Sequence, residues 1–438
     1  MPINYKTPDY FLDFKCLGDQ CTDTCCKEWE IKLDKTHFGL LKDKMSQSSH
    51  EAVLFDSYIH VNENPVTGDH DYALISMTDS GACPMLTQNG LCNLHARYGV
   101  EPLGDVCAFY PRVISRCGSD MELSGALSCP EVARLCLLSD KPARFKRYSP
   151  SILPRTKNYP IRRDLPKNVF DNYAKNFKRV RGVMLELAGN ESAPLSTRLY
   201  ALASMAHRIS AYYHRDCTEQ AIQQLDDDLD YAVQNENLES ITKFLAQDSS
   251  VNTIALVVVR AILEIKMTQF PSEGLSKIAI DIFKSYQLSG SLSDGVLDIP
   301  IDHIQNKYDE YRQGINETWN KHCDRYFTRY LCNCMFREWY FSMPDTFTYI
   351  QMLLIRMAIM RFIFFSHPDL QELVRKLETE NGQHSSEVSE KLDRLAVNVV
   401  YNFARSVDQN LSFLQIIFTA VNEQQMFNFD YSLPFVRF

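Results

Sequence analysis

The chain has 438 residues, enough for two or three domains with a large buried core. Its content of 45% hydrophobic and 23% charged residues is typical of a folded protein rather than a disordered one. The formal net charge of −9 argues against a general nucleic-acid binder, because non-specific affinity for nucleic acids comes from neutralising phosphates.

The N-terminal residues lack a basic stretch followed by an apolar one, so we expect no signal peptide and a cytoplasmic protein. Fourteen cysteines are therefore unusual, and ten of them fall in the first third of the chain. Cytosolic thiols stay reduced, so this density favours metal or redox chemistry over disulfides. Turn-rich sequence of this kind is commonly organised around a bound metal, because such loops bury too little to hold themselves.

Several regular elements are predicted within this third. We predict, in chain order, a helix after Asp34, a short strand within 71–78, a strand pair at 111–117 and 120–128 with Gly118 in its turn, and a helix that begins near Ser128. Ser128 and Glu131 form an S-x-x-E capping box at the start of that last helix.

Basic residues and prolines dominate residues 141–182, which we interpret as a connector between two domains. A solvated linker is favoured there over a docking surface for an acidic protein. The following residues, 183–438, have helical periodicity with few prolines and glycines. The predicted fold is therefore mainly α, with a cysteine-rich α+β metal-binding domain at 1–140, the connector, and a large helical domain.

Two apolar runs in the helical domain, 253–265 and 347–365, raise the question of membrane spans. The first run is too short, and the second carries Arg356 and Arg361, whose charges are costly in lipid. We predict that both are buried core helices and that the protein does not insert into a membrane. The buried helical faces are predicted to carry Ile254, Val258, Ile262 and Ile265, and Leu392, Leu395, Val399 and Phe403.

Eight cysteines among the predicted turns are the candidate metal ligands. They are Cys16, Cys21, Cys25, Cys26, Cys83, Cys92, Cys107 and Cys129. Thiolates select zinc or iron–sulfur clusters, and either needs about four of them. Common structural zinc sites use two Cys-x2-Cys knuckles, and the first third of this sequence has none. The wide spacing of its cysteines, with one Cys-Cys pair, therefore favours an iron–sulfur cluster. A helix N-terminus should lower the pKa of Cys129 and favour its thiolate.

The other cysteines are predicted to be packing residues. They are Cys117, Cys136, Cys217, Cys323, Cys332 and Cys334. His95, three residues after Cys92, is a possible further ligand, but an ordinary polar helix residue is the more frequent explanation.

Four segments together, `CTDTCCKEW`, `CPML…GLCNLH`, `DVCAFYPR` and `LSCPEVARL`, resemble the flagellin lysine N-methylase family, which is related to putative zinc- or iron-chelating proteins with a Cys-Cys pair. The resemblance covers roughly residues 10–140. It implies a cytoplasmic enzyme that methylates flagellin lysines with S-adenosylmethionine, and it implies metal binding by the eight cysteines.

The usual S-adenosylmethionine fold is not supported, because no G-x-G follows a predicted strand and the Cys-x3-Cys-x2-Cys signature of radical enzymes is absent. We hypothesise instead that a cysteine-bound iron–sulfur cluster, of the 4Fe-4S type, binds this cofactor through an open iron position. Arg112 is a candidate for a cofactor or substrate carboxylate, and Tyr110 and Glu122 are candidates for the lysine amine. The alternative is a zinc-stabilised scaffold protein that recognises a partner without catalysis.

Overall fold

The computed structural model describes residues 4–27, 29, 31–65, 68–140, 144–148, 153–155, 160–165, 172–214, 216–247, 253–286, 299–315, 317–379 and 386–438. These residues form two compact units. Unit 1 comprises Met1–Val132 and Phe145–Asp164, and unit 2 comprises Ala133–Arg144 and Leu165–Phe438. The helix content of 65% confirms the mainly helical fold class.

Unit 1 contains a five-stranded sheet with the order β7-β1-β6-β5-β8. Its strands are β1 (Tyr5–Pro8), β5 (Arg112–Cys117), β6 (Asp120–Gly125), β7 (Phe145–Tyr148) and β8 (Arg163–Leu165). The predicted strand pair is confirmed as β5 and β6, and Gly118 adopts a φ of 63° in the turn between them. The N-terminal strand β1 lies between β6, to which it is parallel, and β7, to which it is antiparallel.

A second sheet of unit 1 has the order β2-β4-β3. Its strands are β2 (Ile31–Leu33), β3 (Ile59–Val61) and β4 (Ala73–Ile75), so the strand predicted within 71–78 is present but only three residues long. The first helices of the chain are α1 (Lys35–Met45), α2 (Ser49–Tyr58), α3 (Asn93–Tyr98), α4 (Asp105–Phe109) and α5 (Pro130–Leu137). The helix predicted after Asp34 is confirmed as α1, and the Asp34 carboxylate caps it by accepting from the Thr36 and His37 amides.

The segment predicted as a basic connector contributes β7 and β8 to the sheet of unit 1. The basic residues of these strands are compatible with their positions, because both strands lie at the edges of the sheet, where charged side chains disfavour pairing with a further strand. Lys146 and Arg147 of β7 form ion pairs with Asp9 and Asp120, which holds the edge strand to its neighbours. Residues 141–143, 149–152, 156–159 and 166–171 of that segment lie outside the described residues.

Unit 2 is built from helices. They are α6 (Asn172–Lys175), α7 (Phe177–Gly189), α8 (Leu195–Ser210), α9 (Glu219–Val233), α10 (Asn235–Ala246), α11 (Thr253–Thr268), α12 (Glu273–Ser285), α13 (Ile301–Gln313), α14 (Glu317–Arg337), α15 (Thr346–Phe365), α16 (Pro368–Thr379), α17 (Ser386–Phe403), α18 (Leu411–Glu423) and α19 (Ser432–Arg437). Helix α15 is the centre of this unit and packs against α8, α11, α17 and α19. Every residue of α15 is buried, which confirms that this apolar run is a core helix and is compatible with a soluble protein.

The face predicted for α17 is confirmed, since Leu392, Leu395, Val399 and Phe403 are all buried. The face predicted for α11 is wrong, because Ile254 is 43% exposed and the buried side is turned by about one residue. That side carries Ala255, Leu256, Val259, Ile262, Leu263 and Lys266. The buried side of this helix could not be predicted, because nearly all of its residues are apolar and few polar residues mark the exposed side.

The packing role predicted for most of the later cysteines is confirmed. Cys117, Cys136, Cys323, Cys332 and Cys334 are buried, whereas Cys217 is only half-buried in the loop before α9. The Cys136 thiol lies 3.6 Å from the carbonyl oxygen of Arg329.

Arg356 carries a charge into the middle of α15, where carboxylates surround it. Its guanidinium donates to Glu338 at 2.7 Å and to Asp408 at 3.1 Å. Asp408 stands at the end of a short π-helical segment, Ala404–Asp408, and also accepts from the Tyr330 hydroxyl at 3.0 Å. The buried charge of Arg356 is therefore paired, as a buried charge needs to be.

We expect Arg356→Met to destabilise unit 2 by about 3–5 kcal/mol, because it leaves the buried Asp408 carboxylate without its ion-pair partner and removes one of the two arginines that pair with Glu338. Urea denaturation followed by far-ultraviolet circular dichroism measures this loss. The control is Arg394→Met on α17, where the arginine side chain is 74% exposed and the midpoint should not move. Equal urea midpoints for the two variants would show that Arg356 contributes nothing to the stability of unit 2.

Candidate metal centre

All eight cysteines predicted as ligands line one cavity of unit 1, whose volume is about 720 Å³. Five of them lie in the irregular segments around residues 16–26 and 83, and the other three lie in or next to short helices. None of the five buried packing cysteines lines this cavity. Metal ligation itself remains a prediction, but the eight residues share one place in the fold.

The Cys-Cys pair is held by backbone hydrogen bonds to the second cysteine loop. The Cys83 amide donates to the Cys26 carbonyl at 2.8 Å, and Lys27 pairs with Ala82 in an isolated antiparallel bridge. The Sγ atoms of Cys25 and Cys26 lie 3.9 Å apart. The indole of Trp29 donates to the Cys25 carbonyl at 2.8 Å, which fixes the loop from its other side.

Three further cysteines are placed by helices. Cys92 is the N-cap of α3, Cys107 lies within α4, and Cys129 directly precedes α5. The start of α4 approaches β2 so closely that a Cβ on Gly104 would meet the Leu33 side chain at 2.5 Å. This close approach fixes the position of Cys107 beside the strand that follows the Cys-Cys pair.

Burial and the charges of neighbouring cysteines raise the pKa of several of these thiols. Burial, followed by the charges of Cys92 and Cys25, raises the pKa of Cys83 to about 11. Burial also raises the pKa of Cys107, with the charges of Cys92, Cys83 and Cys25 acting in the same direction. A bound cation reverses both effects, because it replaces mutual repulsion of thiolates by attraction.

The pKa prediction for Cys129 was wrong in direction. Burial raises the pKa of this thiol to about 12, although the backbone amides of Val132 and Glu131 lower it as expected at a helix start. The Ser128 hydroxyl, predicted to cap α5, lies 2.9 Å from the Tyr110 hydroxyl. Cys129 is thus the side chain that meets the first amides of the helix.

Arg112 is the cation that lines the cavity without a carboxylate partner among the described residues. Its guanidinium lies over the Phe14 ring at 5.1 Å. Burial lowers the pKa of Arg112, while the charges of Cys16 and Cys129 raise it. A partly buried guanidinium without a carboxylate partner can bind an anionic group that enters the cavity.

Tyr110 and Trp29 form an aromatic wall of the same cavity, with ring centroids 5.5 Å apart. The hydrogen bond between Tyr110 and Ser128 fixes the phenol next to Cys129. His95 also lines the cavity, but its side chain is exposed. Glu122 is buried in β6 and is not among the cavity-lining residues, so the third catalytic candidate lies elsewhere in unit 1.

The model of the FliB lysine N-methylase C-terminal domain matches residues 181–435, which is more than half of the chain. The chain belongs to the FliB lysine N-methylase family. This confirms the family suggested by the cysteine motifs, although the matching region lies beyond them in the sequence.

Curated members of this family share a shorter stretch with the chain. A lysine-N-methylase of Salmonella choleraesuis (strain SC-B67) is 29% identical over 130 residues, which is 30% of this chain and 31% of the relative. The flagellar biosynthetic protein FliU of Salmonella muenchen is 29% identical over 133 residues, covering 30% of this chain and 75% of the relative. The chain thus spans about a third of the curated methylase that it matches. No solved structure matches the chain.

The sequence analysis did not identify a partly buried cluster of polar side chains in unit 1. The side chains of Asp34, His37 and Asp105 converge in unit 1, and the Arg155 guanidinium lies among them. Arg155 donates to Asp105 at 2.7 Å and stacks on Phe109 at 5.2 Å, so it fixes both ends of α4. Because the guanidinium already supplies the positive charge there, these residues are not a metal site. The sequence contains no signal that Arg155, from the basic segment 141–182, contacts Asp105 and His37.

Asp34→Asn should weaken α1 at neutral pH, because asparagine preserves the cap but removes the charge that faces His37. Burial raises the pKa of Asp34, but the hydrogen bonds from His37 outweigh it and leave the pKa below its ordinary value. A carboxyl with a lowered folded-state pKa stabilises the fold above its unfolded-state pKa, and this contribution is lost as the pH falls through the folded-state pKa. We expect a loss of about 1 kcal/mol at pH 7 that fades below about pH 4.

Hydrogen exchange of the α1 amides measures this opening free energy. The control is Asp43→Asn, an exposed position on the same helix, which should change nothing at either pH. An Asp34→Asn effect as large at pH 3 as at pH 7 would contradict a contribution from the charge.

Proposed function

We propose that the chain is a cytoplasmic protein-lysine N-methyltransferase that acts on flagellin and takes the methyl group from S-adenosylmethionine. In this proposal, cavity-lining cysteines hold an iron–sulfur cluster of the 4Fe-4S type. One observation carries the proposal: the eight motif cysteines and an arginine without a carboxylate partner among the described residues line the same cavity. Family membership supports the lysine-methylase activity, and the name of the FliU relative supports the link to flagella.

The spacing of the sulfur atoms favours a cluster over a single zinc ion. A tetrahedral zinc with Zn–S bonds of about 2.3 Å holds its thiolates about 3.8 Å apart. Among the described residues, no three cysteine sulfurs lie within 4.8 Å of one another. A cluster keeps its thiolates farther apart, because each one bonds a different iron atom.

Arg112 is the residue that we assign to the methyl donor. S-adenosylmethionine carries a carboxylate, and a guanidinium binds a carboxylate through two parallel hydrogen bonds. The Phe14 ring below Arg112 holds the guanidinium plane, so little conformational freedom is lost on binding. When bound, a cluster with an open iron position supplies a Lewis-acidic site for the amino and carboxylate groups of this cofactor.

Tyr110 and Trp29 are assigned to the lysine substrate. In methyl transfer a new bond forms between the lysine Nζ and the methyl carbon while the bond from that carbon to the sulfonium sulfur breaks. The lysine amine must be neutral to react, because only the neutral form has a free lone pair. The aromatic rings of Tyr110 and Trp29 would exclude water from the amine and so lower its pKa. The Tyr110 phenol, fixed by Ser128, orients the Nζ through a hydrogen bond.

Anaerobic purification followed by iron, sulfide and zinc analysis tests the cofactor, and transfer of a labelled methyl group to flagellin tests the reaction. We expect a brown protein whose visible spectrum changes when S-adenosylmethionine is added. A colourless protein with stoichiometric zinc and no transfer would overturn the proposal and favour the alternative, a zinc-stabilised binding protein.

Arg112→Gln should raise the KM for S-adenosylmethionine by about tenfold to a hundredfold, since hydrogen bonds to charged groups contribute about 1.5–3 kcal/mol. Arg112→Lys should recover part of this loss, because the charge remains without the planar fork. The matched control is Arg116→Gln on the same strand, where the arginine is 47% exposed and paired with Asp164. An unchanged KM in Arg112→Gln would remove this residue from the cofactor site.

A further inference from the structure

The cavity of unit 1 meets solvent at one place in the described part of the chain. Most of its lining residues are buried or half-buried, and the exposed ones come from only two stretches of sequence. They are Cys16, Leu17, Gly18, Asp19 and Thr22 from the first stretch, and Asn89, Gly90, Leu91 and His95 from the second. We call these residues the mouth of the cavity.

The two stretches form turns that are held by backbone hydrogen bonds. The Cys21 amide donates to the Gly18 carbonyl at 3.2 Å, and the Gly90 amide donates to the Thr87 carbonyl at 2.9 Å. Gly18 and Gly90 have φ angles of 59° and 75°, in the left-handed region that glycine adopts without strain. The turns also touch each other, since a Cβ on Gly18 would lie 3.4 Å from Cδ2 of Leu91. The mouth is therefore built from two turns in contact.

Two leucine side chains are exposed at this mouth. Leu17 is 38% exposed and Leu91 is 39% exposed, and no other large apolar residue among the described lining residues is exposed. A single exposed leucine is ordinary, but here each of the two contacting turns carries one. Covering them would remove apolar surface from water, which favours a ligand with an apolar group.

The charge at the mouth is acidic. Asp19 is exposed, whereas Asp23 lines the cavity as a half-buried residue and pairs with Lys27 at 3.1 Å. No lysine or arginine belongs to the described mouth, and the arginine of the cavity, Arg112, is half-buried. The formal net charge of −9 acts in the same direction as Asp19. A cation is therefore attracted to this opening and an anion is repelled.

A lysine side chain fits both properties of the mouth, because it joins an ammonium group to an apolar four-carbon stem. The cavity behind the mouth has a volume of about 720 Å³, within the range of about 300–1,000 Å³ that is typical of small-molecule sites. Tyr110 and Trp29, assigned above to the lysine, line this same cavity.

We propose that the mouth selects the protein substrate, with Asp19 attracting the ammonium of the target lysine and with Leu17 and Leu91 binding apolar residues that flank it. In an extended segment, the residues two positions before and after the lysine point to the same side as the lysine. These positions are therefore the ones that meet the two leucines. The inference rests on the proposed function in taking a lysine as the methyl acceptor, and it adds the sequence that surrounds this lysine.

Two peptides of equal charge test the inference with the full chain. One carries leucine two positions before and two positions after a single lysine, and the other carries serine at both positions. Fluorescence anisotropy of labelled peptides measures binding without S-adenosylmethionine, and methyl transfer measures the KM of each peptide. We expect the leucine peptide to bind about fivefold to tenfold more tightly, because part of each leucine is buried.

The variant Leu17→Ser/Leu91→Ser should lose this preference and bind the serine peptide as the unaltered protein does. A general structural defect would instead weaken the binding of both peptides. The matched control is Leu40→Ser, because Leu40 is 41% exposed on α1 and does not line the cavity. This control should keep the preference, and all variants should keep the metal content and circular dichroism spectrum of the unaltered protein.

The charge of the mouth is tested separately. Asp19→Asn should weaken the binding of both peptides by about threefold at low salt and have no effect at about 1 M salt, where charges are screened. Asp56→Asn is the control, because Asp56 is exposed on α2 and does not line the cavity. It should change neither value.

Equal binding of the two peptides by the unaltered protein would overturn the inference, as would a leucine preference that survives Leu17→Ser/Leu91→Ser. Methyl transfer to both peptides with equal KM would overturn the inference while supporting the proposed function. A leucine preference that depends on Leu17 and Leu91, without methyl transfer to either peptide or to flagellin, would support the role of the mouth and overturn the proposed function.

Discussion

The structure of unit 1 depends on one constraint, which is that many thiols share a small, largely buried volume. Burial raises the pKa of Cys21, Cys83, Cys92, Cys107 and Cys129, and the charges of neighbouring cysteines act in the same direction. The segments that carry them have little regular structure of their own, with helices of five or six residues and isolated bridges. Such loops are commonly held together by a common binding partner, which is the role that the proposed metal centre would have.

Unit 2 is stabilised in a different way. Its central helix, α15, is buried along its whole length, and the buried charge of Arg356 is paired with Glu338 and Asp408. Apolar burial on this scale stabilises a fold without a ligand. The two units are therefore stabilised by different kinds of interaction.

The sequence was sufficient to predict features that depend on local pattern. The helix after Asp34, the β5–β6 pair and the buried face of α17 follow from capping, turn and periodicity signals, and all three are confirmed. The convergence of the eight cysteines was expected from their type and number. By contrast, the direction of the Cys129 pKa depends on how deeply the thiol is buried, which the helix-terminus signal does not contain.

Other features depend on contacts between distant segments and could not be predicted. Arg155 reaches Asp105 and His37 only because β7 returns the chain to unit 1. The wrong face on α11 has a different cause, since an almost uniformly apolar run contains little periodic contrast.

The position of β1 has a consequence for the synthesis of the protein. This strand pairs with residues 120–125 on one side and 145–148 on the other, so its place in the sheet does not exist until the chain has grown past residue 148. Synthesis proceeds from the N-terminus, and the Cys16–Cys26 segment therefore leaves the ribosome long before its partners. During that interval the thiols of Cys16, Cys21, Cys25 and Cys26 are exposed to oxidants. We therefore expect synthesis to need a reducing environment, and any metal to be delivered only after residue 148 has been made.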